Sequence, residues 1–467
     1  MKTTQSSGTR PDHQTVAGTF EFKSNGKAIA IGFTDQQLSP HAGSALFWAW
    51  LHPLDWCQRL AAALPHPLPL SNNKLLPLEK ALAFMHGLLC DARKLTHVAY
   101  LRRDPLVPEL LGITRVASQS VLTRFFQGFT SAGDNLRCFR PLWHWCLHRL
   151  PSPKEGYTLD LDSTRLLHKD GRQEGVAGGY TKQGIKPCLH PLLAVLAEAR
   201  LVAQLWLRSG NASCGSNVTA FFLDLWANLP SHIRLRGVRA DAGFCLPELL
   251  ALWEQLPLPY VVVAQLSQPI QKIIKGDLRW TATEVEYQAM SWPHPRRLVL
   301  LRHRVSDDEE RGGKRLLDVP GYRFQALVTS LPRATHPPLA VWRYYNGRAD
   351  CENVIKELQA GFALPTLCLE QFWASEAALC LACLTYNLIV LFERHLGWQH
   401  KVTLRNLRFW LFVTAGVLSH PAGKTTIKMA VPERERDWWR RLWEKILSPI
   451  PNCNAVENQP AFSSQST

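Results

Sequence analysis

Over residues 44–150 apolar side chains recur every three or four positions, most regularly at 78–90 and 116–129, and this spacing predicts a run of amphipathic helices. Ahead of it come a polar start and a short alternating stretch, 20–33, that predicts a strand or two of peripheral structure. Inside the helical region, "LLGITRVASQSVLTRFFQGF" reads as a turn, a capping Ser118 or Ser120, and a helix carrying Arg124. A helix-turn-helix that reads DNA has this pattern, and so does a plain helical bundle.

At Tyr157 the period drops to two. "YTLDLDST" puts Leu159 and Leu161 on one side of a strand and Asp160 and Asp162 on the other. Further strands are expected at 191–197 and 201–207, joined by a tight Glu198-Ala199-Arg200 connection. A helix at 216–228, a strand at 233–239 running into Asp241, a helix at 246–256 and the apolar strand "YVVVAQL" follow. Three strands, helix, strand, helix, strand is the order of an RNase H-like domain. Residues 267–342, with Trp280, Trp292, paired prolines and the charged "SDDEERGGKR", read as an inserted β-rich unit. A long amphipathic helix resumes at Arg348. The tail from Thr403 holds a helix, the turn "HPAGK", a short strand and a Trp- and Arg-rich helix at 433–446.

The expected class is therefore α/β, an RNase H-like core interrupted by a β-rich insertion. The expected division is an N-terminal mainly helical region (1–150), a core in two parts (151–266 and 343–400), the insertion (267–342) and a C-terminal region (401–467).

Charge narrows the partners. The net charge is +15, with Lys and Arg scattered along the whole chain, which favours a polyanion such as nucleic acid or an anionic membrane surface. The most apolar run, 377–392, is shorter than the ~20 residues a bilayer span needs and contains Thr385 and Asn387, so a cytosolic protein without a membrane partner is expected. The start, "MKTTQSSGTRPDHQ", has no apolar signal core. The twelve cysteines then read as thiols, and Cys380 and Cys383, the one CxxC, as core residues of a helix. The seventeen histidines form no zinc ligand set.

Three acids sit where two-metal phosphodiester chemistry would want them. Divalent ions such as Mg²⁺ take carboxylate oxygens converging from neighbouring elements. Asp162 lies near the end of the first central strand, Asp241 just past the fourth, where an α/β sheet delivers side chains to its crevice, and Glu352 in the first turns of the resumed helix. On that helix Arg348, Glu352 and Lys356 fall on one face with Gln359 nearly in line, an arrangement shared by a surface ion-pair ladder and by a metal ligand between phosphate-binding groups.

The segments "LDLDST", "GGYTKQGIKPCLHPLLAV", "VRADAGF" and "YYNGRADCENVIKELQ" resemble the core of DDE-type insertion-sequence transposases, in the group with a Tyr-two-Arg-three-Glu-six-Lys signature. Within it the chain is most similar to the family numbered thirteen-eighty, over roughly residues 115–420. The resemblance implies catalytic, metal-holding roles for Asp162, Asp241 and Glu352, with Mg²⁺ as cofactor and Mn²⁺ as a substitute. It implies DNA contacts from Tyr345 and Arg348. The signature Lys falls on Gln359, a departure that leaves its phosphate contact to Lys356 one turn earlier. Trp280 or Trp292 would hold a flipped base, or pack the insertion's small core. Implied partners are inverted-repeat ends and target DNA, with a homodimer on paired ends in the bacterial cytoplasm at the nucleoid. The alternatives are a domesticated RNase H-like nuclease and a non-catalytic DNA-binding protein.

If affinity for DNA is largely electrostatic, log K against log [salt] should be steep, at about −0.9 per neutralised phosphate. Filter-binding titrations with duplex DNA giving a slope shallower than about −3 would reject this.

Overall fold

The structure, a computed structural model, describes residues 20–68, 70–71, 74–168, 171–181, 184–304, 321–398 and 402–448; the charged "SDDEERGGKR" stretch lies outside them. An antiparallel hairpin, β1 (Phe20–Ser24) and β2 (Lys27–Ile31), comes first, followed by β3 (Gln37–Ser39). The three-and-four spacing then becomes α-helices running from Ala45–Leu51 to Ala132–His148. Among them Gln119–Gln127 starts after Ser118, buries Leu122, Phe125 and Phe126, and leaves Arg124 exposed.

The large sheet begins at β4 (Tyr157–Ser163). The glycine-bearing stretch after it folds into a small antiparallel sheet of β5 (Leu166–Leu167), β6 (Ala177–Thr181) and β7 (Gly184–Leu189). β8 (Leu192–Leu196) returns antiparallel to β4, and β9 (Leu201–Trp206) is antiparallel to β8. The helix Val218–Asn228 then crosses to β10 (Leu235–Ala240), parallel to β4, and Pro247–Gln255 crosses to β11 (Tyr260–Ala264), parallel to β10. β12 (Ala282–Tyr287), β13 (Arg296–Arg304) and β14 (Tyr322–Thr329) complete an eight-stranded mixed sheet of order β12-β13-β14-β11-β10-β4-β8-β9. The stretch read as an insertion thus opens with a helix, Gln268–Gly276, and its strands extend the same sheet through β14, which pairs with β11. Near the C-terminus β15 (Gly416–Ser419) lies between β16 (Thr426–Met429) and β3, tying the two ends of the described chain together.

Both faces of the sheet are covered. Tyr260 and Val262 enter the main core, whereas Val261 enters a second cluster with Val299, Leu301, Leu327 and Val341, the last from the helix Pro338–Asn346. This is why β11 reads as a continuous apolar run, and why both aspartates of β4 are buried.

The helix Phe372–His395 is long and apolar enough to cross a bilayer by length and composition, and its most apolar stretch is wholly buried in the protein core. Its polar residues serve β9, the edge of the sheet. Asn387 accepts from Val202 N–H at 2.9 Å and donates to Val202 C=O at 2.7 Å, Tyr386 donates to Arg200 C=O at 2.9 Å, and Glu376 accepts from Leu207 N–H at 2.6 Å. A buried strand edge would otherwise leave these groups unpaired, at about 1–3 kcal/mol each. Cys380 and Cys383 are buried in the same helix.

Glu376 also accepts from Asn135 Nδ2 at 2.9 Å, and burial pushes its carboxyl from 4.5 up to about 7, with the Leu207 and Asn135 donors opposing. The folded carboxyl therefore binds its proton more tightly than the unfolded one. Its contribution to stability is full below about pH 4.5 and is lost as pH rises through about 7. Glu376→Gln should flatten the fall in Tm between about pH 5 and pH 8, an effect on the order of 3 kcal/mol at most. An unchanged slope in the variant would show that Glu376 does not titrate in this range.

Candidate active site

In β4 and in the β10 segment a charged residue stands two positions before an acid: Asp160 before Asp162, and Arg239 before Asp241. The strands are parallel with Asp160 directly opposite Arg239. Arg239 clasps Asp160 with two bonds, Nε to Oδ1 at 2.6 Å and Nη2 to Oδ2 at 2.9 Å, with both side chains buried. Burial pushes Asp160 up to about 6, against the opposing Arg239, so both are charged at neutral pH. Two residues on, where the strands end, the same alternation brings Asp162 and Asp241 out on one face.

The remaining Arg239 nitrogen, Nη1, donates to Tyr344 C=O at 2.7 Å at the end of the helix Pro338–Asn346. Gly347 follows, and a Cβ there would lie 2.3 Å from Nη1, so only glycine lets the chain turn this close to the guanidinium. The turn carries Arg348, at the N-cap of Ala349–Ala360, over the strand ends. Its Nη2 lies 2.8 Å from Asp162 Oδ2 and its Nη1 3.9 Å from Glu352 Oε1, the first an ion pair lacking hydrogen-bond alignment.

Asp162 is pushed up to about 6, first by burial. Arg348 and the Ser163 N–H, at 2.7 Å, oppose this, while the negative charges of Asp241 and Glu352 add to it. Asp162 thus feels the charge of the other two acids. Asp241 caps the short turn Ala242–Phe244, accepting from Gly243 N–H at 2.9 Å, and Glu352 is more than half exposed in the first turn of its helix. Burial lowers Arg348, yet Asp162 first and Tyr345, Cys351 and Asp241 after it hold its pKa above the ordinary value. Tyr345 is half-buried against Arg348, and burial, Asp241 and Asp162 all raise its phenol.

Among the described residues no three His, Cys, Asp or Glu side chains are already arranged to hold a metal ion, and the cation facing Asp162 is Arg348. The donor set nevertheless fits a divalent ion: two aspartates and a glutamate are hard oxygen donors, mutually repelling and in need of positive charge.

The other predicted residues divide. Gln359 Nε2 donates to Thr164 Oγ1 at 2.6 Å, just beyond Asp162, whereas Lys356 lines a separate cleft with Arg93 and Arg405. Trp292 is buried, meets Tyr287 edge-on, stands 5.1 Å from the Arg296 guanidinium, and lines a cavity of about 480 Å³ that also touches Ala242 and Gly243, next to Asp241. Trp280 instead packs edge-on to Phe324, away from that cavity. Arg124 lies on the exposed face of its helix.

Sequence reasoning missed the Asp160–Arg239 pair, although the shared two-residue offset before each acid was a usable signal. It also missed His190, which touches Ser163 Oγ at 3.0 Å and Ala212 C=O at 3.0 Å. Burial lowers His190 to about 4, so the neutral ring donates from Nδ1 to the carbonyl and accepts the Ser163 hydroxyl at Nε2, steadying the residue after Asp162. No pattern in the sequence links those two positions.

The fold and the site define an α/β protein that gathers carboxylates at the ends of parallel strands under an arginine. A model of the family described as "Transposase DDE domain group 1" matches residues 22–449, and the chain belongs to that family. No curated protein matches it. Among solved structures it is similar to the piggyBac transposase synaptic complex with hairpin DNA, determined by cryo-EM, at 12% identity and a TM-score of 0.42, covering 90% of this chain and 89% of that one.

Asp160→Asn leaves Arg239 buried without its counter-charge and should destabilise the fold by about 3–5 kcal/mol in urea unfolding. Asp160→Leu combined with Arg239→Met should lose less than the single change. A double variant as unstable as the single one would mean that the pairing is not what stabilises this layer.

Proposed function

We propose that the chain is the DNA transposase of an insertion sequence, of the Tyr-Arg-Glu-Lys signature group and the family numbered thirteen-eighty, with an RNase H-like core. It binds terminal inverted repeats and catalyses strand cleavage and strand transfer at Asp162, Asp241 and Glu352. The observation that carries this reading is the parallel Asp160–Arg239 register, which delivers Asp162 and Asp241 to one face beneath the start of the helix bearing Glu352. Family membership supports it, since DDE domains generally use divalent metal ions.

In this reading Asp162, Asp241 and Glu352 hold Mg²⁺, or Mn²⁺ in its place. A bound divalent ion supplies Lewis-acid stabilisation of the attacking and leaving oxygens of an in-line displacement. The protein's own share is positioning and charge. Arg348 neutralises Asp162 in the resting site and turns to a phosphate oxygen when DNA arrives, a role suited to its fork of donors. Tyr345 flanks that phosphate. The Trp292 cavity beside Asp241 receives a flipped base, a role that Trp280, packed on Phe324, does not share. Gln359, bonded to Thr164, steadies the chain just past Asp162 in place of the signature lysine. Residues 1–150, with Arg124, hold the DNA ends, and residues 401–467 serve dimerisation or further DNA contact.

Asp162→Asn, Asp241→Asn and Glu352→Gln should each abolish Mg²⁺-dependent cutting of a duplex that carries the element's end, while binding to that duplex stays within a few fold. A proton competes with the metal for Asp162, raised to about 6 in the metal-free site, so wild-type cutting at limiting Mg²⁺ should decline as pH falls below about 6 and excess Mg²⁺ should restore it. Any one of the three variants cutting at near the wild-type rate removes that residue from the ligand set.

A further inference from the structure

The five residues Arg408–Phe412 are wound as a π-helix, a form that often marks functional sites. Arg408 is drawn inward: Nε donates to Leu89 C=O at 3.0 Å, Nη2 to Gly361 C=O at 2.9 Å, and Nη1 pairs with Asp91 at 2.9 Å. Leu411 and Phe412 are fully buried. With residues 408, 411 and 412 committed to the interior, Phe409 is turned outward and left 71% exposed.

Phe409 forms one wall of a cleft of about 900 Å³, and Arg405 lines it beside Phe409. The helix Ala349–Ala360 also lines it, contributing Asn353, the residue after Glu352, and Lys356. The two acids of the cleft are engaged. Asp91 pairs with Arg408 and Arg93, and Glu357 Oε1 accepts from Leu404 N–H at 2.7 Å. Lys356 and Arg405 have no ion-pair partner among the described residues, and four cations, Arg93, Lys356, Arg405 and Arg408, outnumber the two carboxylates in the lining, so the cleft is net positive.

An exposed aromatic ring beside unpaired cations matches the two chemistries of a nucleic-acid strand: a flat base for the ring and phosphates for the cations. A duplex hides its base faces in the stack, so only an unpaired strand can use Phe409. We propose that this cleft binds single-stranded DNA, stacking a base on Phe409 and seating phosphates on Lys356 and Arg405. Asn353, which lines the cleft, is the residue after Glu352, so the cleft and the acidic site share the helix Ala349–Ala360. This rests on the transposase reading only for the source of the strand, a DNA end freed or splayed at the cut.

The test measures binding and not cutting. Full-length protein is titrated into fluorescein-labelled oligo-dT of about 12 nucleotides, and separately into a mixed-sequence hairpin duplex. Phe409→Ala should weaken oligo-dT binding about tenfold or more and Phe409→Trp should preserve it. Lys356→Ala with Arg405→Ala should weaken it as much and make the salt slope about 1.4 shallower, two phosphates at about 0.7 each. All variants should keep the wild-type Tm, since the altered side chains face solvent, and should lose far less affinity for the duplex than for oligo-dT. Unchanged oligo-dT affinity, equal losses on duplex and single strand, or a shift in oligomeric state in place of any DNA effect would each overturn the proposal. If wild-type protein binds oligo-dT as expected but never cuts DNA, the transposase reading fails and the cleft stands; normal cutting with unaltered oligo-dT binding has the opposite meaning.

Discussion

The buried bond between Asp160 and Arg239 sets the register on which the site depends. Parallel strands can slip, and a one-residue slip between β4 and β10 would turn every alternating side chain to the other face. Slipping here would strip a buried guanidinium of its bidentate carboxylate partner, a loss of several kcal/mol that apolar packing does not impose so selectively. The same guanidinium holds Tyr344 C=O, so one side chain fixes two strands and the helix end from which Arg348 descends. The acids that emerge two residues later inherit a geometry decided deeper in the sheet.

Charge in this layer is arranged as a relay of compensation. Asp160 and Asp162 are both buried and both raised toward about 6, yet each faces an arginine that keeps it ionised at neutral pH. The two pairs differ in a way that matters. Arg239 is bidentate, aligned and further anchored, as a structural pair should be, whereas Arg348 meets Asp162 without hydrogen-bond alignment and is shared with exposed Glu352. A guanidinium held mainly by charge is the one that can be exchanged for another cation or another anion.

Much of this was legible in the sequence, because alternation and three-residue spacing report burial directly. "YTLDLDST", "VRADAGF" and the helix after Arg348 fall where the pattern put them, as β4, β10 with its following turn, and Ala349–Ala360. Partnership was not legible. β12, β13 and β14 look like strands in the sequence, but alternation cannot say that β14 pairs with β11 and makes them part of the central sheet. The small sheet of β5, β6 and β7 is short and glycine-bearing, with too few apolar positions to declare a period. The apolar run 377–392 marks only the middle of Phe372–His395, and the polar Asn387 within it, which counted against a bilayer span, is what pairs this apolar helix with an open strand edge.

The helix Ala349–Ala360 shows how one element can serve several neighbours through its period alone. Val354, Ile355 and Leu358 enter the core and hold the helix in place. At roughly 100° per residue, Gln359 returns to within about 20° of Glu352, while Lys356 is displaced about 40° to the other side. The contacts follow that arithmetic: Gln359 reaches Thr164 beside Asp162, and Lys356 turns to the cleft faced by Phe409. Lys356 is therefore no simple replacement for a lysine two turns along from Glu352. A neutral amide at 359 keeps a hydrogen bond to Thr164, just past β4, without adding a second cation beside Arg348 at Asp162, and the positive charge of this helix is displayed one face over, on Lys356, which has no ion-pair partner among the described residues.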